Sequence, residues 1–206
     1  MIERPTKLNA IELNKSIHVE TAKDGAVAEI ATIALEVKID PKNIDPEKAK
    51  GGFLIYNLDE NDYKKRLNLF FLTFSEENKV RGFIMSYDKT FLEQLIKNGE
   101  IAHEDGIMQY LQTEINPADN FIFGDQIAIS KDNRNREAGT KLMKATLSRM
   151  QSMGINNMYV AILHQPIRNE ASINFVGRFG FNHTKEVTNS DGLVWGIYHL
   201  NIEPKK

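Results

Sequence analysis

Cysteine is absent from all 206 residues. Disulfides, thiolate metal sites and a cysteine nucleophile are thereby excluded, and the composition suits a reducing cytoplasm. An excess of charge is missing too, since 26 Lys and Arg stand against 28 Asp and Glu for a net charge of −2. So weak a field makes no electrostatic case for nucleic acid or an anionic membrane as a partner. No apolar run approaches the ~20 residues that a membrane helix needs. The start, Met1-Ile2-Glu3-Arg4-Pro5, has no apolar signal-peptide core. Repeats, low-complexity tracts and linkers are lacking as well. The cluster Glu100, His103, Glu104 and Asp105 has no helical His spacing, so it reads as solvated loop and no metal site is expected. These absences point to a soluble, cytoplasmic protein, a single domain over residues 1–206, monomer or homodimer.

What is present is a succession of strand and helix patterns. Residues 16–21 alternate as a first strand, and Asp24 is placed to cap a helix with Val27, Ile30, Ala31, Ala34 and Val37 on its inner face. Residues 51–58 form an apolar island, in which Phe53 and Tyr56 read as capping the core. A short helix fits residues 61–69. Residues 68–74 and 79–87 then form a hairpin about the polar turn 75–78, and a helix over 91–97 follows. Later, residues 159–163 read as strand, and a helix opened by Asn169 is stopped by Gly180. Residues 181–187 and 193–200 make a last hairpin. The order gives a mixed α/β sheet with helices on both faces.

Residues 121–153 carry the densest signal: strand, turn, helix. Phe121, Phe123, Ile127 and Ile129 alternate, with a fault at Gly124-Asp125 of the kind that marks a bulge. A polar, basic turn follows, and Leu142, Met143, Leu147 and Met150 then line one face of a helix. The first amides of a helix lack intrahelical partners, and its dipole adds positive charge there. A basic turn with the small pair Ala138-Gly139 at that point suits a phosphate. Neither Gly-Lys-Ser/Thr nor the three-glycine dinucleotide fingerprint is found there.

The stretch Arg134-Asn135-Arg136-Glu137-Ala138-Gly139 resembles the coenzyme A pyrophosphate loop of the GNAT superfamily of N-acetyltransferases, Arg/Gln-x-x-Gly-x-Gly/Ala. Glu137 stands where the first glycine is usual, so its carboxylate must turn away from the ligand. Residues 169–181 resemble the closing helix of the same family, Asn-x-x-Ala-x-x-Phe-Tyr-x-x-x-Gly-Phe, with Val176 in place of Tyr. The resemblance implies a GNAT-like fold: a mixed, mostly antiparallel sheet with splayed central strands, and an elaborated N-terminal part, residues 1–69, on the acceptor side, where Phe53 and Tyr56 would face a substrate if they do not simply cap the core. It also implies acetyl-CoA as cosubstrate. Backbone amides of Arg134, Asn135, Arg136, Glu137, Ala138, Gly139 and Thr140 are then expected at the pyrophosphate. The backbone of Ile127, Ala128 and Ile129 is expected along the pantetheine, with Asn169, Phe175 and Arg178 near pantetheine and adenosine. Arg178 reads equally well as a solvated helix charge.

Transfer from an acyl-CoA to an amine acceptor needs a route for the amine proton, because a lysine-like amine is neutral in only roughly one molecule in two thousand at pH 7. Asp125, beside the fault, is one candidate, its alternative role being a bulge residue bonded to nearby amides. His164, at the end of a strand, is another, although a lone His there is commonly structural. Valine at 176 cannot donate a proton to the departing thiolate, which leaves Tyr198, His199 or water as substitutes, or a poor activity. Three functions are weighed: an N-acetyltransferase, a module that binds coenzyme A thioesters for sensing without transfer, and a scaffold that does neither, against which the basic turn speaks.

Overall fold

Short side-chain-capped helices and a run of β-branched and aromatic strands assemble around one twisted sheet. The computed structural model describes residues 17–102, 105–116, 118–132 and 137–202. In order they form β1 (Ile17–Thr21), α1 (Val27–Val37), α2 (Pro46–Ala49), α3 (Glu60–Lys65), β2 (Phe71–Glu76), β3 (Lys79–Asp88), α4 (Lys89–Lys97) and α5 (Gly106–Thr113). Then come β4 (Phe121–Ile129), α6 (Ala138–Ser152), β5 (Asn157–Gln165), α7 (Glu170–Gly177), β6 (Asn182–Thr188) and β7 (Val194–Asn201). Among the described residues the seven strands form one sheet in the order β1-β2-β3-β4-β5-β7-β6. Neighbours pair antiparallel except β4 and β5, which are parallel.

Local chemistry explains most boundaries. Asp59, Asp88 and Asn169 accept from Asp62, Phe91 and Ser172 backbone N–H groups at 2.8, 2.8 and 3.2 Å, capping α3, α4 and α7. Gly180 has φ +88° just beyond α7, the left-handed stop its position predicts. Asp24 behaves differently from the expectation: it opens a 3₁₀ turn, and α1 starts after Ala26 without a side-chain cap. Helix α5 occupies residues 106–113, a stretch to which the sequence patterns assign no element. Its apolar residues Ile107, Met108 and Leu111 are buried.

The sheet separates two cores. Tyr63, Phe71, Phe83, Met85 and Tyr87 are buried on the face that carries α1, α3, α4 and α5. Phe70, Ile84, Leu142, Met143, Met150 and Val176 fill the face beneath α6 and α7. The fault in β4 is a bulge that exchanges these faces. Pairing with β3 passes from Met85↔Gln126 to Ser86↔Gly124, so Asp125 is the extra residue. Phe121 and Phe123 therefore lie in the first core, while Ile127 and Ile129 pack against the second. A simple alternation would put all four on one face.

β4 and β5 pair only from Phe121↔Asn157 to Gly124↔Val160, and beyond that the strands part. Gly124 sits at the fork. A Cβ there would lie 2.9 Å from both Met158 Cε and Val160 Cγ1, inside normal contact. Gly124→Ala is therefore expected to cost about 1–3 kcal/mol by overpacking, read as a lower urea midpoint with unchanged slope. Wild-type stability would mean that the fork has slack.

Candidate active site

The parting of β4 and β5 opens a cavity of about 360 Å³ that reaches through the sheet. On the α6–α7 side its wall includes Ile127, Met143, Val160, Phe175 and Val176. On the other it includes Phe53, Tyr56, Leu58, Ile101, Met108 and Trp195. Asp125 stands between them. The bulge that makes it the unpaired residue of the ladder also turns its carboxylate into the cavity, where it is accessible.

Asp125 is held from below. The fully buried Tyr87 hydroxyl donates to Asp125 Oδ2 at 2.7 Å. Arg66, also buried, is fixed by donating to the carbonyls of Asp62 and Glu100 at 2.9 and 2.8 Å. The next residue is anchored too: Tyr63 Oη–H donates to Gln126 Oε1 at 2.9 Å, and Gln126 Nε2 donates to the Tyr56 carbonyl at 3.3 Å. Asp125 opens onto the cavity, yet it lies deep in the protein. The loss of surrounding bulk water raises its carboxyl above the ordinary pKa, while the Tyr87 hydrogen bond and the Arg66 charge pull the other way without cancelling the effect. The result is a carboxylate more basic than a surface one, facing an open space.

The cofactor-side candidates gather on the α6–α7 face. Gly139, in the first turn of α6, packs beneath α7: a Cβ there would lie 3.3 Å from Phe175 Cε2 and 4.0 Å from Ile127 Cδ1. Three residues widely separated in sequence thus meet at one point. The Glu137 side chain turns outward and pairs with Lys141 at 3.4 Å, leaving the start of α6 to Ala138, Gly139 and Thr140. Arg178 is exposed and lies over the Phe175 ring at 5.5 Å. Asn169 is buried and does more than cap α7, since its Nδ2 donates to the Phe53 carbonyl at 3.0 Å and ties that helix to the opposite wall. Ala128 points into the first core, and the Ile129 side chain lies over Gly82. Arg134, Asn135 and Arg136 fall outside the described residues, as do residues 1–16, His103 and Glu104.

His164 and Tyr198 are brought together, but not onto this wall. The His164 Nε2 and the Tyr198 hydroxyl lie 3.0 Å apart in a separate cluster over β7. His199 stacks on Tyr159 with centroids 4.4 Å apart and sits 2.9 Å from Asn157 Oδ1, at the far end of that strand. Sequence reasoning assigns no role to Tyr87, Arg66 or Ser172, although Ser172 closes the motif Pro166-x-x-Asn169-x-x-Ser172. Ser172 lies one turn before Val176 and shares the cavity wall with it. The signal for Ser172 was its spacing of four from Val176. Tyr87 and Arg66 carry none, because only strand pairing and chain crossing bring them to Asp125.

Solved structures with this fold include three acetyltransferases. The ribosomal-protein-S18-alanine N-acetyltransferase from Escherichia coli is 11% identical, with a TM-score of 0.59 over 93% of this chain and 97% of its own. Ard1 from Thermoplasma volcanium is 13% identical, with a TM-score of 0.61 over 91% and 98%. The polyamine N-acetyltransferase of Drosophila melanogaster, which forms N-acetylagmatine, is 12% identical, with a TM-score of 0.57 over 91% and 100%. At such identities the likeness carries the fold. No curated protein sequence matches the chain. The sequence profile of the acetyltransferase (GNAT) family matches residues 39–181, well over half of the 206. The chain therefore belongs to the acetyltransferase (GNAT) family, whose chemistry is transfer of an acetyl group from acetyl-CoA to an amine.

Proposed function

We propose that this protein N-acetylates a primary amine carried on an apolar arm, with Asp125 taking the proton of the attacking amine. The observation that carries the reading is the Asp125 carboxylate, made more basic by burial and set by the β4 bulge in the cavity where β4 and β5 part. The residues present fit acetyl-CoA. Beyond Gly124 the edges of β4 and β5 no longer pair with each other, the cavity runs between them, and the first turn of α6 packs at Gly139 against Phe175 of α7, which lines it. Bound there, acetyl-CoA supplies the thioester carbonyl.

Each residue then has a task. The backbone of 127–129 and the start of α6, with Arg134 and Arg136, hold the cofactor, and Phe175 and Val176 wall it. Asp125 accepts the amine proton, and Tyr87 and Arg66 fix the carboxylate's position. Ser172 supplies a donor on the wall near the leaving group. Phe53, Tyr56 and Leu58, from the elaborated N-terminal part, take the apolar arm of the acceptor, a side chain or alkyl stem that loses water on entering. The lack of cysteine suits work in the cytoplasm. A second reading, binding without transfer, is favoured by Val176 and by Glu137 in place of the usual glycine.

Both readings require acetyl-CoA to bind. A ligand at a hundred times its dissociation constant adds about 2.7 kcal/mol to stability, so saturating acetyl-CoA should raise the melting temperature clearly. Release of free thiol with a panel of amines then separates the readings, with a low protein background because there is no cysteine. Alkyl and aryl amines and peptides with apolar first residues are expected to react fastest. No melting shift together with no calorimetric heat would defeat both readings, and binding without thiol release from any amine would favour the second.

A further inference from the structure

Three ligand-type side chains converge outside the cavity, over β7. His164 Nδ1 and Glu186 Oε1 are 2.7 Å apart. The His183 ring stacks on His164 with centroids 5.3 Å apart and planes at 28°. One donor atom from each of the three lies within 4.8 Å of the others.

Two bulges produce this meeting. In an unbulged strand, residues three apart point to opposite faces, so His183 and Glu186 would be separated by the sheet. Pairing of β6 with β7 passes from His183↔Tyr198 to Lys185↔Ile197, leaving Thr184 as an extra residue. Thr184 and Lys185 both face α5: Thr184 Oγ1 is 3.5 Å from the Tyr110 hydroxyl, and Lys185 Nζ lies 5.8 Å over the Tyr110 ring. His183 and Glu186 are thereby both on the other side. In β5, pairing passes from Leu163↔Trp195 to Gln165↔Val194, and His164 is the extra residue. Its ring folds over Gly196, where a Cβ would lie 2.3 Å from Nε2. Bulges re-aim side chains, and here both aim ligands at one point.

We propose that His164, His183 and Glu186 bind a divalent transition-metal ion such as zinc. Two imidazoles and a carboxylate, with no thiolate, suit zinc, nickel or copper(II). Bonds of about 2.0–2.1 Å in a tetrahedral site separate donors by roughly 3.3 Å. The three atoms reach that spacing by small swings of His183 and Glu186, both exposed. The ion takes the Nδ1 lone pair of His164, and any hydrogen on that nitrogen leaves to solvent. Nε2 then carries the ring hydrogen and donates it to the Tyr198 oxygen, 3.0 Å away, the second contact that orients a metal-bound imidazole. The ion pins the end of β5, whose Ile162 and Leu163 line the cavity, to the edge strand β6.

Zn²⁺ titrated into the full, metal-free chain at neutral pH should give one site by calorimetry and raise the melting temperature. Co²⁺ should give a visible absorption band. His183→Ala and Glu186→Gln, both at exposed positions, should each weaken Zn²⁺ binding by at least about tenfold, the loss typical of even indirect partners. His18→Ala, on β1, should leave it unchanged. Absence of both the heat and the cobalt band in the parent overturns the site. So does parent affinity in the His183→Ala and Glu186→Gln proteins.

Discussion

Asp125→Asn is expected to lower turnover by about 10²- to 10⁴-fold at pH 7, while acetyl-CoA affinity stays nearly unchanged. Asparagine keeps the size of the side chain and can still accept from Tyr87, 2.7 Å from the carboxylate, but it cannot take a proton. Activity should recover partly as the pH rises, because more acceptor arrives already neutral. The stability change should have the opposite sign to damage. Burial raises the Asp125 pKa in the folded state, so the folded chain binds this proton more tightly than the unfolded one. The stability from that preference is full below the unfolded carboxyl pKa and is lost as pH rises through the folded one. At neutral pH the ionised form is a net cost, and the asparagine variant should melt at or above the parent temperature. Tyr87→Phe removes the donor that favours the charged carboxylate, so the acid limb of kcat/KM should move to higher pH. His164→Gln, off the cavity wall, should cost far less. An Asp125→Asn enzyme with normal turnover would show that Asp125 only shapes the bulge.

The difference between Asp125 and its surroundings shows what a sequence reveals. Gly124-Asp125 was legible as a fault because two polar or small residues interrupt an apolar alternation, a local pattern. That the fault reverses the faces, sending Phe123 into one core and Ile127 against the other, depends on the β3 register from Met85↔Gln126 to Ser86↔Gly124. No local pattern encodes that register. Tyr87 and Arg66 were invisible for the same reason, being 38 positions from Asp125 in one case and on another helix end in the other. Helix α5 was passed over although Ile107, Met108 and Leu111 have helical spacing, because eight residues among polar neighbours give a weak period. His164 and Tyr198 entered as separate alternatives, and a bulge at 164 joins them at 3.0 Å. Glu137 shows a different case: its side chain pairs with Lys141 at 3.4 Å on the surface, the direction a carboxylate would take if a phosphate bound at this turn. The two basic residues before it, Arg134 and Arg136, lie outside the described residues.

Gly139→Leu is expected to weaken acetyl-CoA binding by about 5- to 150-fold, the 1–3 kcal/mol of overpacking converted to affinity, with cooperative melting retained. Two physical reasons for a small residue compete here. One is close approach of a phosphate to the backbone at a helix start. The other is visible in the packing, where a Cβ at Gly139 would already stand 3.3 Å from Phe175 and a longer side chain would drive that ring into the cavity it lines. Phe175→Ala distinguishes them, since it removes the ring that leucine displaces. If packing is the reason, the double variant should bind acetyl-CoA as well as Phe175→Ala alone, a large coupling between contacting sites. If phosphate approach is the reason, the double variant should lose affinity for both changes, close to additively. Gly139→Ala should be mild in the first case, because Phe175 need give only a few tenths of an ångström. Parent affinity in Gly139→Leu itself would place the cofactor away from the start of α6.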